Sequence, residues 1–211
     1  ISNKLIAGTT VSASLIGCTQ LKIPIFSVAG IGGAHYGASE SFDISTDLMQ
    51  FAKSRVAVVC AGAKSMIDPK LTLEILETHG IPVIGYQSEF FPGYYTQSSG
   101  EKVPLLTSSI ELITKIMNTH WNLPSAGSLL VTHPIDEADS LDSKYLKDVV
   151  DSAIADCKAK GIKGNEVTPT ILKAISRATS GKSDVVNKSV LLSTAKLASK
   201  LANAYKGNQY V

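Results

Sequence analysis

The chain has 211 residues, 44% of them hydrophobic and 18% charged, with a net charge of +2. This is enough for one sizeable core, and the nearly balanced charge leaves no electrostatic footprint for nucleic acid. No apolar run approaches the ~18 residues that a bilayer span needs. The start, ISNKLIAGTT, has neither the apolar core of a signal peptide nor a methionine, so a fragment or processed product is expected. Cys18, Cys60 and Cys157 are odd in number, far apart and mostly in apolar settings. That argues for a reducing compartment and against a disulfide framework or a zinc site. The expectation is a soluble cytoplasmic domain.

Residues 23–29 (IPIFSVA) form an apolar run that is entered through Pro24 and ended by the glycines of GIGG. The same character returns at 55–61 (RVAVVCA), 81–86 (IPVIGY) and 127–133 (GSLLVTH). Short Val-, Ile- and Leu-rich runs without polar alternation predict parallel strands buried on both faces. Between them, DPKLTLEILETHG (68–80) predicts a helix with Asp68 as N-cap, Pro69 at its first position and Gly80 as its stop. SSIELITKIMNTHW (108–121) carries apolar residues at helical spacing. Residues 87–107, rich in aromatics, Gly, Pro and Ser, read as a long loop near the strand ends, placed to cover a site. This rhythm predicts right-handed βαβ units and an α/β fold, a mainly parallel sheet sandwiched by helices. Beyond residue 139 the pattern is helical only, at 144–161, at 168–181 with a cap and then Pro169, and at 183–205. The expectation is one domain over 1–211 with a helical cap portion from about residue 140 to 211.

Three stretches can carry chemistry. AGIGGAHYG (29–37) places Gly30, Gly32 and Gly33 after a strand, where bare backbone approaches an anion and presents several N–H groups. A tight turn needing positive φ accounts for the same glycines. The spacing G-x-G-G-x-x-x-G is not the dinucleotide fingerprint. His35, at the mouth of that turn, is more often a hydrogen-bonded structural group than a catalyst. In ESFDISTDLMQ (40–50), Asp43, Ser45, Thr46 and Asp47 stand ahead of a helix. They are either capping residues or a hard-cation site for Mg²⁺ or Mn²⁺.

The third is Lys64. GAKS lacks the glycines that a Walker A loop needs before its lysine. The carboxyl end of a buried parallel strand is nonetheless where ligands bind in open α/β sheets. Desolvation there lowers a lysine pKa and frees the amine to attack carbonyl carbon. A lysine that merely snorkels out of the strand end is the alternative.

GTTVSAS (8–14), GIGGAHYGASESFDISTDL (30–48), VAVVCAGAKSMID (56–68), LEILETHGIPVIGY (73–86) and EFFPGYYTQSSG (89–100) occur in this order. HPI (133–135), KGIKGNEVTPTIL (160–172) and VVNKSVLL (185–192) follow. The series resembles the pseudouridine-5'-phosphate glycosidases, also called the indigoidine synthase A family, over essentially the whole chain. The resemblance implies reversible cleavage of the C–C glycosidic bond of pseudouridine 5'-phosphate to uracil and ribose 5-phosphate. It implies that Lys64 forms a Schiff base with C1' of the ring-opened ribose and that Asp43 is associated with a bound manganese ion. Ser45, Thr46 and Asp47 match a segment that contacts the phosphorylated sugar, Val11 a further substrate contact, and Asn187 an asparagine near the nucleobase. A homotrimer is implied as well. A C-glycoside has no leaving oxygen to protonate, which makes the two-carboxylate mechanism unsuitable and an iminium electron sink useful.

Family members usually carry threonine, glycine and arginine where this chain has Val28, Ala29 and Tyr36. Losing a hydroxyl and a guanidinium leaves a Schiff-base lyase on another phosphosugar as an alternative. Family chains also have an upstream glutamate acting as general acid and base, and a substrate-contacting lysine, ahead of the GTTV stretch. Glu40 and Glu89 match neither. The expectation is a chain with the Schiff-base lysine and metal aspartate but without the proton-transfer partner, and a truncated, non-catalytic binding domain is the remaining alternative.

Overall fold

A computed structural model describes residues 10–162 and 166–208. The start at 1–9 and residues 163–165 of the 160–172 stretch lie outside the described residues. Strands β1 (Ile25–Ser27), β2 (Ala57–Cys60), β3 (Val83–Tyr86), β4 (Leu105–Thr107) and β5 (Leu129–Thr132) form one sheet in the order β1-β2-β5-β3-β4. Every pairing is parallel. The four apolar runs are therefore strands, and the α/β expectation holds.

Strands β2, β3 and β5 are buried along their whole length. Val58, Cys60, Val83 and Leu130 enter one core, while Ala57, Val59, Ile84, Leu129 and Val131 enter the other. Each valine or leucine so buried contributes about 1.5–3 kcal/mol, and a polar residue in either register would lose its water on one face or the other. That is why these strands show no alternation.

Helix α5 (Ile110–Trp121), through Ile113 and Met117, and Leu197 and Leu201 of α8 (Lys182–Asn208) fill the second core. The first core takes α1 (Val11–Gln20), α3 (Thr46–Phe51), α4 (Pro69–Thr78), α6 (Ser143–Ala159), α7 (Val167–Ala178) and Val186 and Val190 of α8. Helix α4 begins as expected: the Asp68 side chain accepts the Leu71 N–H at 3.0 Å, Pro69 follows, and Gly80 (φ 66°) ends the turn. No helix among the described residues is long and apolar enough to cross a membrane.

Several elements differ from expectation. Helix α1 contains Ser12, Ser14, Gly17 and Thr19, weak helix formers. It holds because Val11, Leu15 and Cys18 form a buried stripe and Thr10 caps it. The four-residue α2 (Ala38–Ser41) and the three-residue β4 are too short for periodicity to reveal, and Leu105 and Leu106 of β4 are exposed. Helix α7 starts at Val167, so Thr168 lies inside it and is not its cap; Pro169 falls in the first turn, where no amide partner is lost.

Candidate active site

The loops leaving β1 and β2 continue the parallel pairing beyond the sheet. Ile31 N–H donates to Gly62 O at 3.0 Å, and Lys64 N–H donates to Ile31 O at 3.1 Å. This carries Lys64 to the carboxyl ends of the strands beside the glycine loop.

The positive-φ reading of that loop is overturned, and the supply of free N–H groups is smaller than its glycines suggest. Gly30, Gly32 and Gly33 are not among the residues with positive φ. Four of the loop's N–H groups also have partners inside the protein. Ile31 donates to Gly62 O, Gly32 to Asp47 Oδ2 at 2.9 Å, Ala34 to Thr72 Oγ1 at 3.1 Å and His35 to Asp43 O at 3.0 Å. The loop is glycine-rich because side chains crowd it. A Cβ on Gly30 would lie 2.6 Å from Tyr94 Cε2, one on Gly32 2.8 Å from Asp47 Oδ2, and one on Gly33 2.6 Å from Ile67 Cγ2. Real Cβ atoms do not come that close.

Asp47 is only 3% exposed. Its Oδ1 accepts the Ser12 N–H at 2.9 Å while Oδ2 holds Gly32, so one carboxylate joins the start of α1 to the glycine loop. Ser45 caps α3 by accepting the Asp47 N–H at 3.2 Å, and its own N–H donates to Gly33 O at 2.9 Å. The capping reading is thus correct for Ser45. Thr46, exposed, meets the Ser12 hydroxyl at 3.2 Å.

A cavity of about 380 Å³ opens at this point, lined by Val11, Ser45, Asp47 and Lys64 together with His35 and Tyr94. Lys64 is half-buried and makes no ion pair among the described residues. It also lines a neighbouring cavity of about 420 Å³ with Tyr36 and Ser65. Of the two departures from the family pattern that change polarity, Val28 lines the Lys64–Asp47 cavity and Tyr36 does not.

Asp43 stands apart. Its side chain is 45% exposed, its Oδ2 is 4.0 Å from His35 Nδ1, and it lines an adjoining cavity that shares His35. Among the described residues no group of three or more His, Cys, Asp or Glu side chains is placed to hold a metal ion. Asp43 therefore suits an ion held mainly by water and phosphate, as Mg²⁺ or Mn²⁺ can be. Asn187 lies one helical turn before Leu191, which lines the Lys64 cavity. Its Oδ1 is buried without a partner, and its side chain sits against the Tyr95 phenol, holding that group's pKa down against the larger effect of burial.

Sequence reasoning missed Tyr94 and Thr72, which shape the loop from outside. For Tyr94 the available signal was the aromatic pair following FPG inside the covering loop. A larger cavity of about 1030 Å³, at the opposite ends of the strands near Pro24 and Arg55, contains none of the expected site residues.

Fold and cavity together define an α/β sandwich with a lysine-bearing cavity at the carboxyl ends of its parallel strands. The model of the indigoidine synthase A like protein family matches residues 1–204, and the chain belongs to that family. It is 47% identical over 197 residues to a pseudouridine-5'-phosphate glycosidase of Dickeya dadantii, covering 93% of this chain and 62% of the relative. With the enzyme of the same name from Alkaliphilus metalliredigens it shares 42% identity over 204 residues, 97% of this chain and 66% of the relative. The chain thus spans under two thirds of these relatives' length. Among solved structures it resembles the prealnumycin C-glycosynthase AlnA in complex with ribulose 5-phosphate. The TM-score is 0.92 and the identity 35%, over 96% of this chain and 67% of that one. An indigoidine synthase A-like protein of Thermotoga maritima is similar at a TM-score of 0.83 and 30% identity, over 95% and 65% of the two chains.

Proposed function

We propose that the chain carries the Schiff-base half of a pseudouridine-5'-phosphate glycosidase site. The observation that carries this reading is Lys64, which has no ion pair among the described residues and lines a cavity beside a braced loop. The family's relatives at 42–47% identity support it.

In this reading the Lys64 amine bonds to C1' as the C1'–O4' bond breaks and opens the sugar ring, and the proton lost by nitrogen ends on O4'. The nitrogen lone pair then forms the C1'=N iminium as the bond from C1' to uracil C5 breaks, and C5 takes a proton. Water hydrolyses the iminium to the aldehyde of ribose 5-phosphate and returns the amine, so one water is consumed per uracil released. Asp47 acts by holding Gly32 and the start of α1 rather than by moving a proton, since both of its oxygens accept backbone N–H groups. Val11 and Ser45, which line the cavity, border the sugar. Thr46 and Asn187 do not line it, and their substrate contacts rest on the family resemblance alone. Asp43 would hold a manganese ion, which supplies positive charge toward the phosphate when bound. The cytoplasmic location rests on the cysteine usage and the family resemblance, and the homotrimer on the resemblance alone.

The test is borohydride reduction in the presence of ribose 5-phosphate followed by peptide mapping, alongside an assay of uracil release from pseudouridine 5'-phosphate. Absence of an adduct on Lys64 defeats the proposal. Uracil release by the 211-residue chain would show that the proton donor to C5 lies within it. A second reading keeps the lysine but exchanges the phosphosugar. It is favoured by Val28 in the cavity wall and by the likeness to a C-glycosynthase solved with ribulose 5-phosphate, and ribulose 5-phosphate in the same trapping experiment separates the two.

A further inference from the structure

The cavity wall contains one aromatic ring for which the surrounding backbone makes unusual allowances. Gly30 has no need of glycine's conformational freedom, yet any Cβ there would overlap the Tyr94 ring. Tyr94 itself has φ 67°, a left-handed conformation that non-glycine residues adopt only when the surroundings enforce it. Three features enforce it. Tyr94 N–H donates to Ala61 O at 3.0 Å. The Tyr95 ring meets the Tyr94 ring edge-on, with centroids 4.6 Å apart. Gly62, with φ 87°, bridges to Gly93, and a Cβ on Gly62 would overlap the Pro92 carbonyl. Two glycines and one strained residue thus place a single ring.

That ring lines the cavity that Lys64 and Asp47 share. Tyr94 is half-buried, and among the described residues its hydroxyl has no hydrogen-bond partner, so it is free to donate to a molecule in the cavity. Burial, and the Tyr95 phenol beside it, push its pKa up, so it remains a neutral O–H donor wherever the protein works. A neutral donor suits the hydroxyl and carbonyl oxygens of a sugar, beside a lysine that must be free to react.

We propose that Tyr94 is a substrate-binding residue: its ring forms the cavity wall over Gly30, and its phenol donates a hydrogen bond to an oxygen of the bound pentose phosphate. This rests on the phosphosugar reading given above. The test measures borohydride-trapped adduct on Lys64 of the 211-residue chain as a function of ribose 5-phosphate concentration, for wild type, Tyr94→Phe and Gly30→Ala. Tyr94→Phe keeps the ring and the packing and loses only the donor. It is expected to raise the half-saturating concentration ~2- to 12-fold with the maximal extent unchanged. Gly30→Ala, which displaces the ring, is expected to raise it at least as much, with far-UV circular dichroism confirming the fold. Normal trapping with the same half-saturation in Tyr94→Phe overturns the assignment of Tyr94 and leaves the phosphosugar reading standing. No adduct on the wild-type chain overturns the phosphosugar reading itself, and this assignment with it.

Discussion

The two oxygens of Asp47 divide between two elements, Oδ2 holding the Gly32 N–H and Oδ1 the Ser12 N–H, each at 2.9 Å. Because the carboxylate is almost wholly buried, each bond is charge-assisted and has no water to replace it. Asp47→Asn turns one acceptor into an NH₂ group facing an N–H. It is expected to cost about 2–4 kcal/mol, seen as a lower urea midpoint with an unchanged slope. A loss under ~0.5 kcal/mol, the range of an ordinary surface change, would contradict the brace.

Gly33 and Thr72 share space in the same way: a Cβ on Gly33 would overlap the Thr72 side chain, whose Oγ1 accepts the Ala34 N–H. Gly33→Ala is expected to destabilise by about 1–3 kcal/mol through overpacking. Thr72→Ala removes a hydrogen bond but also clears room. The double variant is therefore expected to be more stable than the sum of the singles predicts, by at least ~0.5 kcal/mol. Strict additivity in chemical unfolding would show that the two positions do not compete.

Lys64→Arg separates chemistry from folding. Arginine forms no imine under these conditions, so trapping is expected to vanish. Lys64 has no ion pair among the described residues, and stability is expected to stay within ~0.5 kcal/mol of wild type. A large drop in melting temperature would give Lys64 a structural role that its surroundings do not show.

Why some of this was legible from the residues alone and some was not has a physical basis. Strands such as Ala57–Cys60 are buried on both faces, and burial constrains every position in them. The Asp68–Pro69 start and the Gly80 stop of α4 are local signals read within one turn. The glycine loop shows the opposite case. Glycine next to glycine suggests either conformational freedom or free N–H groups, both local ideas. The crowding that excludes a Cβ comes from Tyr94, Asp47 and Thr72, brought there only by the fold. Likewise the acidic cluster reads as one unit, but its members part company: Asp47 points inward as a clamp and Asp43 stays exposed beside His35.

Cys60 gives a prediction on pH. Full burial pushes its thiol from 9.0 up to about 12, with a backbone hydrogen bond from Gly62 acting the other way. Below pH ~9 the thiol is protonated in both the folded and unfolded chain and contributes no difference. As pH rises from 9 towards 12 the unfolded chain loses this proton and the folded chain keeps it, so stability falls. Relative to Cys60→Ala, the wild type is expected to lose roughly 1–2 kcal/mol between pH 8 and pH 10. Parallel urea curves for the two proteins at both pH values check this, and an identical pH response would refute it. At pH 8 the folded wild type is also expected to leave Cys60 unlabelled by iodoacetamide.

Strand β2, which delivers Lys64, lies between β1 and β5, with Ala57 opposite Leu129. Pairing across so long a stretch of chain is slow, because its loop must close before its contacts form. During synthesis, Lys64 leaves the ribosome well before the strand that completes its seat. Topology thereby makes the completion of the Lys64 surroundings a late event in folding.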